Sequence, residues 1–366
     1  MIRSDDDRPV VLVTGSSGFI GRAVVERLAS KHQVVGLDVR EPAAWPENAM
    51  FLHADLTADR SVAGAMNELC ERAGSRLASV VHLAAHVDFT GEPDERYEQV
   101  TVQGTRRLLE HLRAFDLQQF IFASTMLVHR PCQLGERIDE GWPVEPTWPY
   151  PQSKLRTEQL LRERHGETPL VTLRIAGVYD DLCHSLPLSH QIQRIFERRL
   201  TGQVFPGNIH HGQAMLHLAD LTDAMARVVD QRAELPGQSV LLLGEPDVLS
   251  YDELQRTIAR HLHHEDWQTH EIPKSLAKAG AWVQGRVPVG EEPFIKPWMI
   301  DRADDHYALD VTRAMRWLAW QPHQRLQSVL PKMLSALKED PVGWYREHKL
   351  EMPGWLEESA HVRAPR

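Results

Sequence analysis

The side chains best placed to do chemistry are a tyrosine and a lysine one helical turn apart, Tyr150 and Lys154. Pro151 follows the tyrosine where a first turn tolerates proline, so a helix is expected over Pro151–His165 with both side chains on one face. A phenol with a pKa near ~10 is a poor base at neutral pH. A neighbouring ammonium and a cationic ring such as oxidised nicotinamide both favour the phenolate, which predicts a downward shift toward the working range. Lys154 can also hold ribose hydroxyls. Thr125, closing the run Phe122-Ala123-Ser124-Thr125, can bond a substrate oxygen and orient it for Tyr150. The implied chemistry is proton transfer accompanying hydride transfer. A lone Tyr-x-x-x-Lys is usually an ordinary surface helix, so the reading depends on what lies upstream.

Upstream stands Thr14-Gly15-Ser16-Ser17-Gly18-Phe19-Ile20-Gly21, after an apolar strand and before an amphipathic helix. In such a turn Gly15 permits the sharp reversal, Gly18 lets the backbone approach a pyrophosphate, and Gly21 allows helix to pack on sheet. Phosphates would lie at the helix N-terminus, against free N–H groups and the positive dipole end, and Ser17, Phe19 and Ile20 are expected cofactor contacts. Asp38 ends the second strand, where a carboxylate accepts from both adenosine ribose hydroxyls and repels a 2′-phosphate. NAD is therefore expected over NADP, with nearby Arg40 keeping NADP as the lesser alternative. Asp55, in His53-Ala54-Asp55-Leu56, suits either the adenine edge or a helix N-cap.

The elements around these residues alternate. Strands are expected at Pro9–Thr14, Gln33–Leu37, Met50–His53, Ser79–Leu83, Phe120–Ala123 and Val171–Leu173, with helices between them, notably Glu95–Phe115. That pattern predicts an α/β fold, a Rossmann-like doubly wound parallel sheet whose ligands sit at the carboxyl ends of the strands. Residues 9–175 form the nucleotide domain and 213–245 return to it. Segments 176–212 and 246–340 read as a smaller, discontinuous substrate-binding lobe, and 341–366 as a C-terminal tail.

Composition sets outer limits. The chain has 366 residues, 42% hydrophobic and 25% charged, with a formal charge of −10 that forms no basic run. No nucleic acid partner is expected. No apolar stretch reaches membrane-helix length and the first residues are acidic and polar, so neither a membrane nor a secretory signal is expected. Cys70, Cys132 and Cys183 are odd in number and far apart, which suggests reduced thiols in a cytoplasm. The run His261, His263, His264, Glu265 could bind zinc but reads better as a polar helix end, and no metal is expected.

With Thr14–Gly21, Asp38, Asp55-Leu56, His82-Leu83-Ala84-Ala85, Gly104-Thr105, Ser124-Thr125, Tyr150–Lys154, Leu173-Arg174 and His217–Leu221 in place, residues 9 to 335 resemble the extended short-chain dehydrogenase/reductases, the NAD-dependent epimerase/dehydratase family. The resemblance implies a Thr125, Tyr150, Lys154 catalytic group and cofactor contacts from Leu83, Ala84 and Ala85. It also implies a homodimer formed through helices Glu95–Phe115 and Pro151–His165.

Departures bear on the substrate. Thr101 replaces an Asn common in the family, and Met126-Leu127 replace the Asp-Glu pair of the 4,6-dehydratases, so water elimination is not expected. His129-Arg130 stand where Tyr-Gly is usual, and His129 becomes a candidate substrate contact. Gly177 and Gln213 replace an Asn and an Arg that meet the diphosphate of nucleotide sugars, while Arg302 keeps a third position. A diphosphate would be desolvated there with little compensation. Trp282, Phe294 and Trp298, with Trp142 and Trp148 before Tyr150, better suit a neutral, partly hydrophobic small molecule. The expectation is an NAD-dependent enzyme working at a secondary alcohol or ketone carbon, as dehydrogenase or epimerase. The alternatives are a nucleotide-sugar epimerase, a non-catalytic NAD-binding regulator, or a membrane-associated sterol or lipid dehydrogenase, the last wanting an anchor.

Overall fold

The computed structural model describes residues 8–88, 91–284 and 296–363. Seven strands make the central sheet: β1 Val10–Thr14, β2 Gln33–Asp38, β3 Ala49–His53, β4 Ser79–His82, β5 Phe120–Thr125, β6 Leu170–Ile175 and β7 Gln238–Leu243. All neighbours are parallel, in the order β7-β6-β5-β4-β1-β2-β3. From β1 the chain runs outward to one edge, and from β4 it runs outward to the other, so a crevice opens between their carboxyl ends. The apolar runs exist because both faces of the sheet are covered. Helices α1 Phe19–Ala29 and α6 Leu218–Asp230 pack together on one face; α2 Asp59–Ala73, α3 Gln103–Leu112 and α4 Pro149–Arg164 lie on the other. Val11, Val13, Val81 and Ile121 point into the first layer, Leu12, Val80, Phe120 and Phe122 into the second.

A third apolar cluster forms the lobe, around α5 Leu186–Phe196 and α7 Tyr251–His263. Two boundaries differ from the sequence reading. Trp344, Tyr345, Leu350 and Leu356 are buried in this cluster, so the segment set apart as a tail packs into the lobe. Tyr307, Leu309 and Trp320 instead join the sheet-face cluster, and Leu309 bridges to Ile138. Residues near 310 therefore belong with the main domain. Phe294 and the side chain of Trp282 lie outside the described residues.

The helix expected over Glu95–Phe115 is interrupted by a π-helical turn, Tyr97–Val102. Thr101 sits in it, fully buried, and its hydroxyl accepts from the His86 N–H at 3.0 Å. The extra residue of a π turn frees such groups to bond outside the helix, which periodicity alone does not reveal.

The nucleotide turn is built as its glycines require. Gly15 has φ +67°, and a Cβ there would stand 2.8 Å from the Ala84 backbone nitrogen. A Cβ on Gly21 would come within 2.0 Å of the Gly15 carbonyl oxygen and 2.8 Å of Ser16 Cα. Both obstacles are backbone, so they cannot rotate aside. Gly21→Ala is expected to destabilise the protein by about 1–3 kcal/mol and to weaken NADH binding, read from the urea midpoint and a fluorescence titration. An unchanged midpoint would mean the turn tolerates displacement.

Candidate active site

One cavity of about 870 Å³ lies at the strand ends. Gly15, Gly18, Phe19 and Ile20 line it on one side, Thr125, Tyr150 and Lys154 on another, and Gly177 with residues of the lobe close it. The glycine turn and the Tyr/Lys pair thus face one space. Leu83 and Ala85 also line it, whereas Ala84 packs against Gly15.

Thr125 ends β5 and caps the short turn Met126–Val128, accepting from the Leu127 N–H at 3.3 Å. Its side chain also lies close enough to the Tyr150 hydroxyl to favour the phenolate. Burial pushes the Tyr150 phenol up to about 12, and Thr125 works the other way. The downward shift expected from Lys154 is not present in the protein alone. The reason is geometric: Lys154 Nζ donates to the Ala123 carbonyl at 2.7 Å and stands 6.0 Å from the centroid of the Tyr150 ring. Burial pulls the ammonium itself down to about 7, opposed by the carboxylate of Glu158.

Glu158 and its partners form the floor. Arg174 grips both of its oxygens, Nε to Oε1 at 3.1 Å and Nη2 to Oε2 at 2.7 Å, and the Ser124 hydroxyl donates to Oε1 at 2.6 Å. The fourth member is His129. Its Nδ1 donates to the Trp142 carbonyl at 3.0 Å, which leaves Nε2 to accept from Arg174 Nη1 at 3.1 Å. Burial and Arg174 lower its pKa to about 4, so the ring stays neutral. His129 is 0% exposed with both nitrogens engaged. It braces the floor and does not reach the cavity, which corrects the expected substrate contact.

A second buried chain ties the crevice shut below the turn. Thr105 donates to the Thr101 carbonyl at 2.6 Å, so it accepts from His82 Nε2 at 2.8 Å. His82 Nδ1 then accepts from the Thr14 hydroxyl at 2.7 Å, and Thr14 accepts from the Ala84 N–H at 3.2 Å. Burial first, then Lys154, lowers His82 to about 3. The tautomer is fixed, and no member of the chain titrates near neutrality.

At the adenosine end, Asp38 accepts from the backbone of Ser17 at 3.0 Å and Val39 at 2.7 Å. That holds its carboxylate beside the turn, while Ser17 Oγ donates to the Arg40 carbonyl. Asp55 accepts from the Thr57 N–H at 2.8 Å and hydroxyl at 2.7 Å. It does not cap α2, whose N-cap is Ala58. Leu56 is buried against Gly104. The glycine cradle, its open amides and the Asp38 carboxylate fit a dinucleotide.

Arg302 is absent from the cavity lining and lies 3.8 Å from Asp305. The phosphate contact expected of it is not supported, because its side chain is absent from the cavity lining and lies near the carboxylate of Asp305. Trp142 is an anchor, its indole donating to the Arg130 carbonyl at 2.9 Å. Trp148 stacks between Tyr150, at 5.4 Å, and Trp298, at 4.9 Å. In the histidine run, His263 donates to the Ile195 carbonyl and Glu265 pairs with Arg198. Sequence reasoning missed Glu158, although an acid one helical turn beyond Lys154 was a readable signal.

A sequence model of the NAD dependent epimerase/dehydratase family matches residues 11–244. The chain belongs to that family. It is an NAD-dependent enzyme, an oxidoreductase or epimerase. Mouse (Mus musculus) 3 beta-hydroxysteroid dehydrogenase type 7 is 28% identical over 86% of this chain and 91% of its own length. UDP-glucose 4-epimerase of Streptomyces lividans is also 28% identical, over 73% of this chain and 83% of its own. Among solved structures, UDP-glucose 4-epimerase of Thermus thermophilus in complex with NAD aligns with TM-score 0.65 and 21% identity, covering 90% of this chain and 99% of that one. That last likeness carries the fold alone. Among the described residues no helix is long and apolar enough to cross a membrane.

Lys154 gives a stability signature. Its folded pKa of about 7 lies below the ordinary 10.5, so between those values the unfolded chain binds more protons. Stability of the cofactor-free protein should therefore rise with pH through that window. Lys154→Met should lack the rise, and unfolding midpoints of both proteins against pH test it. Parallel profiles would show that the ammonium is not buried as described.

Proposed function

We propose that this enzyme oxidises a secondary alcohol, or reduces the matching ketone, on a largely apolar substrate. The carrying observation is the composition of the lobe wall. Leu186, Leu188, Val204, Phe205, Met215 and Met299 line the cavity where a sugar nucleotide would need polar partners. Gly177 has no side chain to offer, and the space beside it is taken by Met215, whose sulfur would stand 2.7 Å from an added Cβ. The likeness to a hydroxysteroid dehydrogenase supports the same reading.

In this reading Tyr150 exchanges the hydroxyl proton and Thr125 holds the substrate oxygen beside it. Lys154 positions the ribose and supplies positive charge at the crevice. NAD supplies the hydride acceptor and, when oxidised, the cationic ring that favours the phenolate. Because burial outweighs Thr125 and holds Tyr150 near 12, its proton moves easily only with that ring close by. Proton transfer is thereby tied to an occupied cofactor site. Asp38 selects NAD over NADP. By analogy with the family we also propose a homodimer formed through α3 and α4, in the cytoplasm.

Tyr150→Phe should lower kcat by about 10²- to 10⁴-fold while NADH affinity stays near that of the wild type. NADH formation from a panel of alicyclic and aliphatic secondary alcohols is the assay. Wild-type turnover in the variant would refute the proton-transfer role. Epimerisation of UDP- or dTDP-sugars, with no net NADH formed from any alcohol, would favour the epimerase reading. Asp38→Ala should raise kcat/KM with NADP relative to NAD; an unchanged ratio would remove Asp38 from cofactor choice.

A further inference from the structure

Among the described residues, the charged groups of the cavity are partnered, with one exception. Lys154 donates to Ala123, and His184 bonds Asp180 and Glu347 at 2.6 and 3.1 Å. Glu245 accepts from the Tyr179 hydroxyl at 2.7 Å and the Leu326 N–H at 2.9 Å. Asp247 faces Arg325 at 3.7 Å and Asp305 faces Arg302 at 3.8 Å. Arg194 also lines the cavity, half-buried, yet its guanidinium has no hydrogen bond or ion pair among the described residues. The charged neighbour it acts upon is His190, one turn back, which it helps to hold neutral.

Position gives this charge a meaning. Pro187, Gln191 and Arg194 line the cavity from one stripe of α5. The helix begins beside the glycine turn, where His184 lies 5.4 Å from the Phe19 ring. Arg194 is near its other end, roughly 12 Å further along the axis. A half-buried guanidinium with no partner is a poor element of a fold, since its desolvation is not compensated. It becomes favourable when an anion completes it.

We propose that Arg194 binds a carboxylate carried by the substrate at the end remote from the reacting carbon. One guanidinium balances one negative charge, which fits a carboxylate better than a phosphate ester or a diphosphate. The neutral substrate expected from the sequence becomes an apolar body with a single anionic terminus. This inference rests on the alcohol-oxidation reading for the reacting end, and binding separates the two.

The probes are saturated fatty acids from octanoate to hexadecanoate and the primary alcohols of the same lengths, titrated calorimetrically into the NADH-loaded enzyme. At least one acid should bind more tightly than its alcohol. Arg194→Leu should weaken that acid by about 10- to 100-fold and the alcohol little, with partial rescue in Arg194→Lys. NADH affinity of each variant serves as the folding control. Acids that bind no better than alcohols, or Arg194→Leu binding them as the wild type does, overturn the proposal. Secondary alcohols with a terminal carboxylate, such as 15-hydroxyhexadecanoate, are then assayed for NADH formation. Arg194-dependent binding without turnover would leave the carboxylate site standing and count against the alcohol reading.

Discussion

The buried ion pair of Glu158 with Arg174 is the constraint on which the site depends. It joins α4 to β6 beneath the cavity, with side chains no more than 4% exposed. Breaking such a pair leaves an uncompensated charge and typically costs about 3–5 kcal/mol. Here it also sets geometry. Ser124 and His129 bond to it from β5 and the loop beyond, so the network joins β5, which ends in Thr125, to α4, which carries Tyr150 and Lys154. Lys154 lies one turn before Glu158, and that carboxylate is what keeps a buried ammonium tolerable.

The two sides of the crevice use different physics. The cofactor side is backbone: glycines that bring main chain close, open N–H groups, and a carboxylate locked by loop amides. The chemical side is side chain, and its pKa values are set chiefly by burial. Tyr150 is pushed up and Lys154 down, so each disfavours its own charged form before cofactor arrives. A positively charged ring would relieve the first and burden the second. Coupling between cofactor binding and proton transfer follows from that opposition, without any moving part.

Much of this was legible in the chain. The strands were readable because a parallel sheet buried on both faces needs continuous apolar runs, and the glycine turn because each glycine answers a steric demand. Tyr150, Lys154 and Thr125 were legible from spacing. What the sequence hid was direction and partnership. His129 looked like a substrate contact by its place after β5, yet an Arg174 forty-five positions away claims it. Arg302 looked like an anion site but lies outside the cavity lining, near its own neighbour Asp305. Arg194 gave no motif at all, since an unpaired cation is defined by what fails to surround it. The π-helical turn at Thr101 was hidden for a similar reason, its cause lying in bonds to other segments.

A crystal structure of the NAD complex tests the central claim most directly. The account predicts the nicotinamide ring in the space between the Gly15–Gly18 turn and the Tyr150 hydroxyl, with Thr125 beside that hydroxyl and the Glu158–Arg174 pair unchanged. A ring bound elsewhere, or a Tyr150 hydroxyl turned out of the cavity, would contradict it.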